Sequence, residues 1–275
     1  MQKERGKRRK ESIKLSEGEN EAGTHQEKKG KVTFEIKDES VAYVNTLRRI
    51  FTSEVPTMAI STVEFRQNSS ALYDEIIAHR LGLLVLKTDL ESYNMIKEGE
   101  TESAANTVTF TLEATGPKTI YASDLKSNDS KTVPVHPETI ILKLFDKQEI
   151  ELVATAKLGL GKTHMKWSPC LASYYYKPKI TVNNKNLTPE ILEQYPPQVK
   201  TKGQIDPEKI DSPELIDACR DVNKEIVKIE YENPHKEFVF TIEAWGQLSP
   251  DAIVEEGIKQ YNAQLDEFKK LLKEI

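Results

Sequence analysis

The stretch from Ser249 to the end of the chain restricts the available folds more than any other. Ser249 is suited to cap the N-terminus of a helix, Pro250 to its first turn, and Asp251 to the positive end of the helix dipole. Beyond them Val254, Ile258, Tyr261, Leu265, Phe268 and Leu272 recur at spacings of 4, 3, 4, 3 and 4. That rhythm draws a narrow a/d seam along a helix, and such a seam leaves water only by lying against another helix. Ile253, Leu271 and Ile275 broaden the apolar surface toward the chain end. The partner helix belongs either to this chain or to another one, and the spacing alone leaves both open.

A chain of 275 residues is large enough to bury a core without disulfide or metal staples. Its formal charge of −5 sets up no global basic field, so any contact with nucleic acid is expected to be local or indirect, without sequence-specific readout. Only Cys170 and Cys219 are present, with no CxxC pair, which excludes a disulfide framework and a four-thiolate metal site built within the chain. No apolar run approaches the roughly 18 to 20 residues of a membrane span, and the N-terminus lacks the apolar core of a secretion signal. A soluble protein of the reducing cytoplasm is expected, with no membrane partner.

The first 30 residues hold no aromatic side chain and few aliphatic ones, too little to offset the entropy of ordering, so residues 1–30 read as a disordered charged tail with a basic cluster at 3–10. From Lys31 the apolar residues Val32, Phe34 and Ile36 alternate as in a strand. Ser40 then caps a helix carrying Val41, Val44, Leu47, Phe51 and Val55 on one face, and Pro56 ends it. A strand over 58–65 changes its apolar phase between Ile60 and Val63, which predicts a bulge. An apolar segment over 76–86 follows, and strand-like runs at 107–114, 119–122, 139–145 and 149–155 make a β-rich middle region. Residues 187–223 bring two short helical patterns broken by prolines, and strand alternation returns at Ile229 and Tyr231 and again at Phe238, Phe240, Ile242 and Ala244. The turn at Asn233-Pro234 predicts that these last two runs pair as a hairpin.

One stretch invites an enzymatic reading. Ala156-Lys157-Leu158-Gly159-Leu160-Gly161-Lys162-Thr163 fits a loose phosphate-binding loop, which would make the chain a nucleotide-binding enzyme. Such a loop needs a helix starting at once to hold the phosphates, yet Pro169 and an aperiodic stretch come next instead. The histidines at 25, 79, 136, 164 and 235 are scattered without ligand spacing, so no metal site and no catalytic set is expected.

The segment 44–60, which includes Asn45-Thr46-Leu47-Arg48-Arg49-Ile50-Phe51, closely resembles the first helix and following strand of the family that holds the archaeal D-type polymerase subunit, its eukaryotic counterparts and, more distantly, bacterial alpha. Ile77-Ala78-His79-Arg80-Leu81-Gly82-Leu83, Gly161-Lys162-Thr163-His164-Met165-Lys166-Trp167-Ser168-Pro169 and residues 238–248 resemble later blocks of the same family in the same order. The resemblance implies an α+β fold: a discontinuous alpha-like dimerisation domain of residues 31–62 and 224–275, interrupted by a β-rich insert domain over 63–169 and a small subdomain over 170–223.

It also implies a non-catalytic assembly subunit of a DNA-directed RNA polymerase. Such a subunit forms a heterodimer with a small L-like subunit, and the pair is a platform for the large catalytic subunits and small zinc-binding subunits. Val44, Leu47, Phe51, Val254, Ile258, Tyr261, Leu265, Phe268 and Leu272 are then the residues expected to meet the small subunit. Asn45, Arg48, Arg49, His79 and Arg80 are those expected to meet the large ones. Apart from the resemblance, Arg48 and Arg49 on a helix with an apolar opposite face are either solvated charges or bidentate contacts to carboxylate or carbonyl oxygens. A self-associating scaffold that uses the seam on itself is the alternative within the assembly reading.

Many archaeal members of the family carry an iron–sulfur cluster on four cysteines in the part matching 170–222. This chain has only Cys170 and Cys219 there, so no cluster and no other cofactor is expected.

Overall fold

The computed structural model describes residues 30–96, 99–231 and 236–274. The elements run β1 (Lys31–Lys37), α1 (Val41–Ser53), β2 (Thr57–Asn68), α2 (Asp74–Gly82), β3 (Thr107–Thr115), β4 (Lys118–Tyr121), β5 (Lys126–Ser127), β6 (Ile140–Leu144) and β7 (Glu149–Gly159). They continue with β8 (Cys170–Tyr176), β9 (Lys179–Val182), α3 (Pro189–Glu193), β10 (Lys200–Thr201), β11 (Gln204–Ile205), α4 (Pro213–Arg220), β12 (Val227–Glu230), β13 (Glu237–Ala244) and α5 (Pro250–Glu274). The fold is α+β, with every pairing between named strands antiparallel among those whose register is defined. The tail expected over 1–30 and the turn at Asn233-Pro234 lie outside the described residues, Gly30 excepted.

The chain divides into two compact units, one built on Phe34–Val44 with Tyr174–Phe240 and the other on Asn45–Ser173 with Thr241–Ile275. The larger unit holds a four-stranded sheet of order β2-β7-β3-β5. β7 forms its spine because alternate residues Ile150, Leu152, Ala154, Ala156 and Leu158 all point into one core, the pleat turning a period of two into one apolar face. α2 closes over that core with Ile77 and Leu81, one turn apart on its inner face. Asp74 and Glu75 sit in its first turn and His79 and Arg80 in its last, the charge order a helix dipole favours. The pairing of β2 with β7 slips between Ile60 and Thr62, so the bulge expected from the change of apolar phase is present at Ser61.

The smaller unit has its own core of Tyr195, Val199, Ile205, Ile210, Ile216, Cys219, Ile226 and Val227. Its two short helices are capped by Thr188 and Ser212, whose side chains accept from the N–H groups of Ile191 and Leu215 and are each followed by a proline in the first turn. Within it Phe34 stacks on Phe240 at 5.2 Å between ring centroids, and Tyr174 stacks on Phe240 at 6.2 Å.

The expected hairpin between the runs at Ile229 and Phe238 does not form. β12 pairs with β9, Val227 opposite Val182 and Ile229 opposite Ile180, whereas β13 lies between β1 and β8. Apolar matching explains the choice: Ile180, Val182 and Ile229 pack on the core around Tyr195, while Phe238 and Phe240 meet the rings of Phe34, Tyr174 and Tyr176. The apolar segment at 76–86 is helical as far as Gly82, and β7 runs four residues beyond the strand expected to end at 155.

Candidate partner interface

α5 begins as its sequence requires. The Ala252 N–H donates to the Ser249 hydroxyl at 3.2 Å, and the Ile253 N–H donates to the Ser249 carbonyl at 3.0 Å. Its 25 residues span about 37 Å. Ile253, Val254 and Gly257 are buried, whereas Ile258, Tyr261 and Leu265 are half-buried. Phe268, Leu271 and Leu272 are 58%, 53% and 56% exposed. The helix is thus seated by its first two turns and carries a bare apolar stripe along its second half, where isolated exposed hydrophobics would be ordinary but an aligned row is not.

The seat of those first turns is α1. At Gly257 a Cβ would collide with the Phe51 ring, and Val55 lies 3.5 Å from the same position, so the two helices touch where one of them has no side chain. Of the residues expected to meet a small partner, Val44, Leu47, Phe51 and Val254 are all no more than 1% exposed. Their apolar faces are spent on the chain's own core, whereas Phe268, Leu271 and Leu272 of α5 stay exposed.

α1 is capped by Ser40, whose hydroxyl accepts from the Tyr43 N–H at 3.2 Å. On its polar side the Arg48 Nε donates to the Asn45 Oδ1 at 3.0 Å, so these two candidates hold one another in place. Arg49 is exposed, and among the described residues its guanidinium has no partner. Arg80 Nη1 donates to the Ile141 carbonyl at 2.8 Å, while His79 stays exposed on α2.

The stretch that resembles a phosphate loop does other work. Residues 156–159 are strand, the Lys162 N–H donates to the Ser53 carbonyl, and the Thr163 N–H donates to the Leu160 carbonyl, so the N–H groups a phosphate would need are taken. The Lys162 ammonium pairs with Glu54 at 2.8 Å. A Cβ on Gly161 would strike the Thr52 carbonyl, which fixes glycine there for close approach to the end of α1. The geometry therefore lends the nucleotide-binding alternative no support.

After Thr163 the chain makes a single 3-10 turn, Met165–Trp167. Trp167 lies against Gly159, its Nε1 donates to the Lys157 carbonyl at 3.1 Å, and its own carbonyl accepts from the buried Thr57 hydroxyl at 2.6 Å. Over that ring, 4.5 Å from its centroid, sits the Lys166 ammonium, which donates to the Ile60 carbonyl at 2.9 Å beside the bulge. Neither the helix seat at Gly257 nor this lysine was singled out by periodicity, because each is defined by a residue far away in the sequence.

Both cysteines are buried, and burial pushes the Cys170 thiol up to about 12 and the Cys219 thiol upward as well. Neither is a thiolate near neutral pH, so neither is a nucleophile there. Cys170 lies in the larger unit, with its Sγ 3.6 Å from the Phe51 carbonyl, and Cys219 lies in the aliphatic core of the smaller. A donor set of one thiol in each unit does not fit a four-thiolate iron–sulfur cluster. Among the described residues no group of three or more His, Cys, Asp or Glu side chains is placed to hold a metal, and no helix is long and apolar enough to cross a membrane.

Residues 59–169 match the family described as the RNA polymerase Rpb3/RpoA insert domain. The chain is similar to the DNA-directed RNA polymerase subunit Rpo3 of Pyrococcus horikoshii, 36% identical over 245 residues that cover 86% of this chain and 92% of that protein. Against the Rpo3 of Pyrococcus furiosus the identity is 34% over 257 residues, covering 91% and 96%. Against that of Archaeoglobus fulgidus it is 33% over 259 residues, covering 91% and 97%. Matched over 86% to 91% of its length at 33% to 36% identity, the chain belongs to the Rpo3 family of DNA-directed RNA polymerase subunits.

Proposed function

We propose that this Rpo3-family chain pairs through the second half of α5 with a small L-like subunit, and that the pair is the platform on which the large catalytic subunits assemble. The chain is a non-catalytic subunit of archaeal type, and the chemistry of transcription belongs to its partners. In this reading residues 31–62 and 224–275 are the dimerisation part, 63–169 the insert, and 170–223 a subdomain held by its own aliphatic core.

The observation that carries the reading is the bare stripe of Phe268, Leu271 and Leu272 on a helix whose first turns are already seated. Burying one such side chain stabilises an interface by about 1.5 to 3 kcal/mol. Ile258, Tyr261 and Leu265 extend the stripe, and Val44, Leu47, Phe51 and Val254 support it from beneath. Arg49, exposed and without a side-chain partner among the described residues, is the preferred contact to a large subunit, with Asn45, Arg48, His79 and Arg80 beside it in the same role. Small zinc-binding subunits join the platform, which sits at the nucleoid with the polymerase.

Co-expression with the small subunit followed by a mass measurement tests this. A one-to-one heterodimer is expected, and Leu265→Asp or Phe268→Asp should abolish it by placing a charge in the seam. A chain that ignores the small subunit, or both variants pairing at wild-type affinity, defeats the proposal; a homodimer instead favours the self-associating scaffold.

A further inference from the structure

Between α2 and the turn at Met165–Trp167 lies a cleft whose wall includes Ile60, His79, Leu83, His164 and Lys166. Lys166 is half-buried there, its ammonium held by two neutral groups, the Ile60 carbonyl at 2.9 Å and the Trp167 ring at 4.5 Å. Burial and the charge of Lys157 both push its pKa down, and among the described residues no carboxylate pairs with it. An ammonium has three N–H groups, of which Ile60 takes one. Withdrawn cations are ordinarily compensated by an anion. Every ionisable side chain on the cleft wall, His79, His164 and Lys166, is a base. Leu83 on the cleft wall is 53% exposed, and on the turn that carries Lys166 the Met165 side chain is 67% exposed.

We propose that this cleft is a docking site for a partner protein, which inserts an Asp or Glu side chain toward Lys166 and lays an adjacent apolar side chain on Leu83 and Met165. The ammonium is pre-positioned by Ile60 and Trp167, so little side-chain freedom is lost on pairing. The His164 Nδ1 accepts from the Lys166 N–H at 3.1 Å, which leaves its Nε2–H as a donor for an acidic side chain. The exposed Leu83 and Met165 favour a protein segment over a small free anion, which has no use for them. The choice of the assembled polymerase as the setting rests on the assembly reading above.

The test places a photo-crosslinking amino acid at Met165 of the full chain within the purified polymerase. Irradiation is expected to join it to a polymerase partner through a peptide that carries Asp or Glu beside an apolar residue. Lys166→Glu should cut the yield at least about tenfold, and exchanging the partner's acid for lysine should restore it. Should the melting curve of Lys166→Glu reveal an unfolded chain, His79→Asp, on the exposed face of α2, carries the same expected loss and the same rescue. The proposal is overturned by crosslinks to nucleic acid, by a crosslinked peptide without a carboxylate, by the absence of any crosslink, or by a yield indifferent to these charges. An enzyme that assembles through the α5 seam yet gives no such crosslink sinks the cleft alone, whereas failure of pairing at Phe268 sinks the assembly reading.

Discussion

Thr57 and Trp167 illustrate how single atoms hold the insert together. Thr57 is fully buried, and its hydroxyl reaches a carbonyl 110 residues away at 2.6 Å. A hydroxyl withdrawn from water gains little by being bonded but costs a good deal when its partner is left alone. Thr57→Val keeps the shape and removes the donor, so it should lower the unfolding free energy by about 1 to 3 kcal/mol, measured by chemical denaturation. The same bond fixes the Trp167 backbone, and with it the turn that presents Lys166 to the Ile60 carbonyl. The extra residue at the bulge takes Ser61 out of the pairing between Ile60 and Thr62, and the lysine bonds at that break.

At the scale of elements the decisive contact is between α1 and α5. Gly257 lets the Phe51 ring approach the helix backbone, at the cost of a weak helix former in the interior of α5. Gly257→Val should destabilise the chain by about 1 to 3 kcal/mol, because the ring and the valine methyls cannot share that space; thermal or denaturant melts check it. Phe268→Asp, three turns further along the same helix, should leave the melt unchanged while abolishing pairing, since its ring is 58% exposed in the chain alone. The contrast separates what α5 does for its own fold from what it offers to a partner.

For the whole molecule, the second half of α5 contributes little to the chain's own fold. From Ala263 onward only Leu265 is even half-buried among the described residues of the helix. Ending the chain after Asn262 should therefore change the unfolding free energy by no more than about 1 kcal/mol while eliminating the heterodimer, read by denaturation and by mass. Loss of pairing with the fold retained would mark these turns as an element kept for a partner. The chain closes around two apolar cores, one around Phe110 and Leu152 and one around Tyr195 and Ile216.

Much of this is legible in the sequence. The strand at Val32, the Ser40 and Ser249 caps, the bulge after Ile60 and the long terminal helix all follow from neighbouring residues, because periods of 2 and 3.6 are properties of consecutive side chains. The false phosphate loop was also refutable locally, by the missing helix. Strand partnership was not legible: β12 prefers β9 to β13 through apolar faces that adjacency in sequence does not reveal. The role of Lys166 is not legible either, because the carbonyl it serves lies 106 residues away. As for the terminal seam, its spacing alone determined that a helix with one apolar face exists and must be covered. Only the tertiary structure decided that α1 covers the first turns and leaves the rest bare, because periodicity records which face shuns water and not what has come to lie against it.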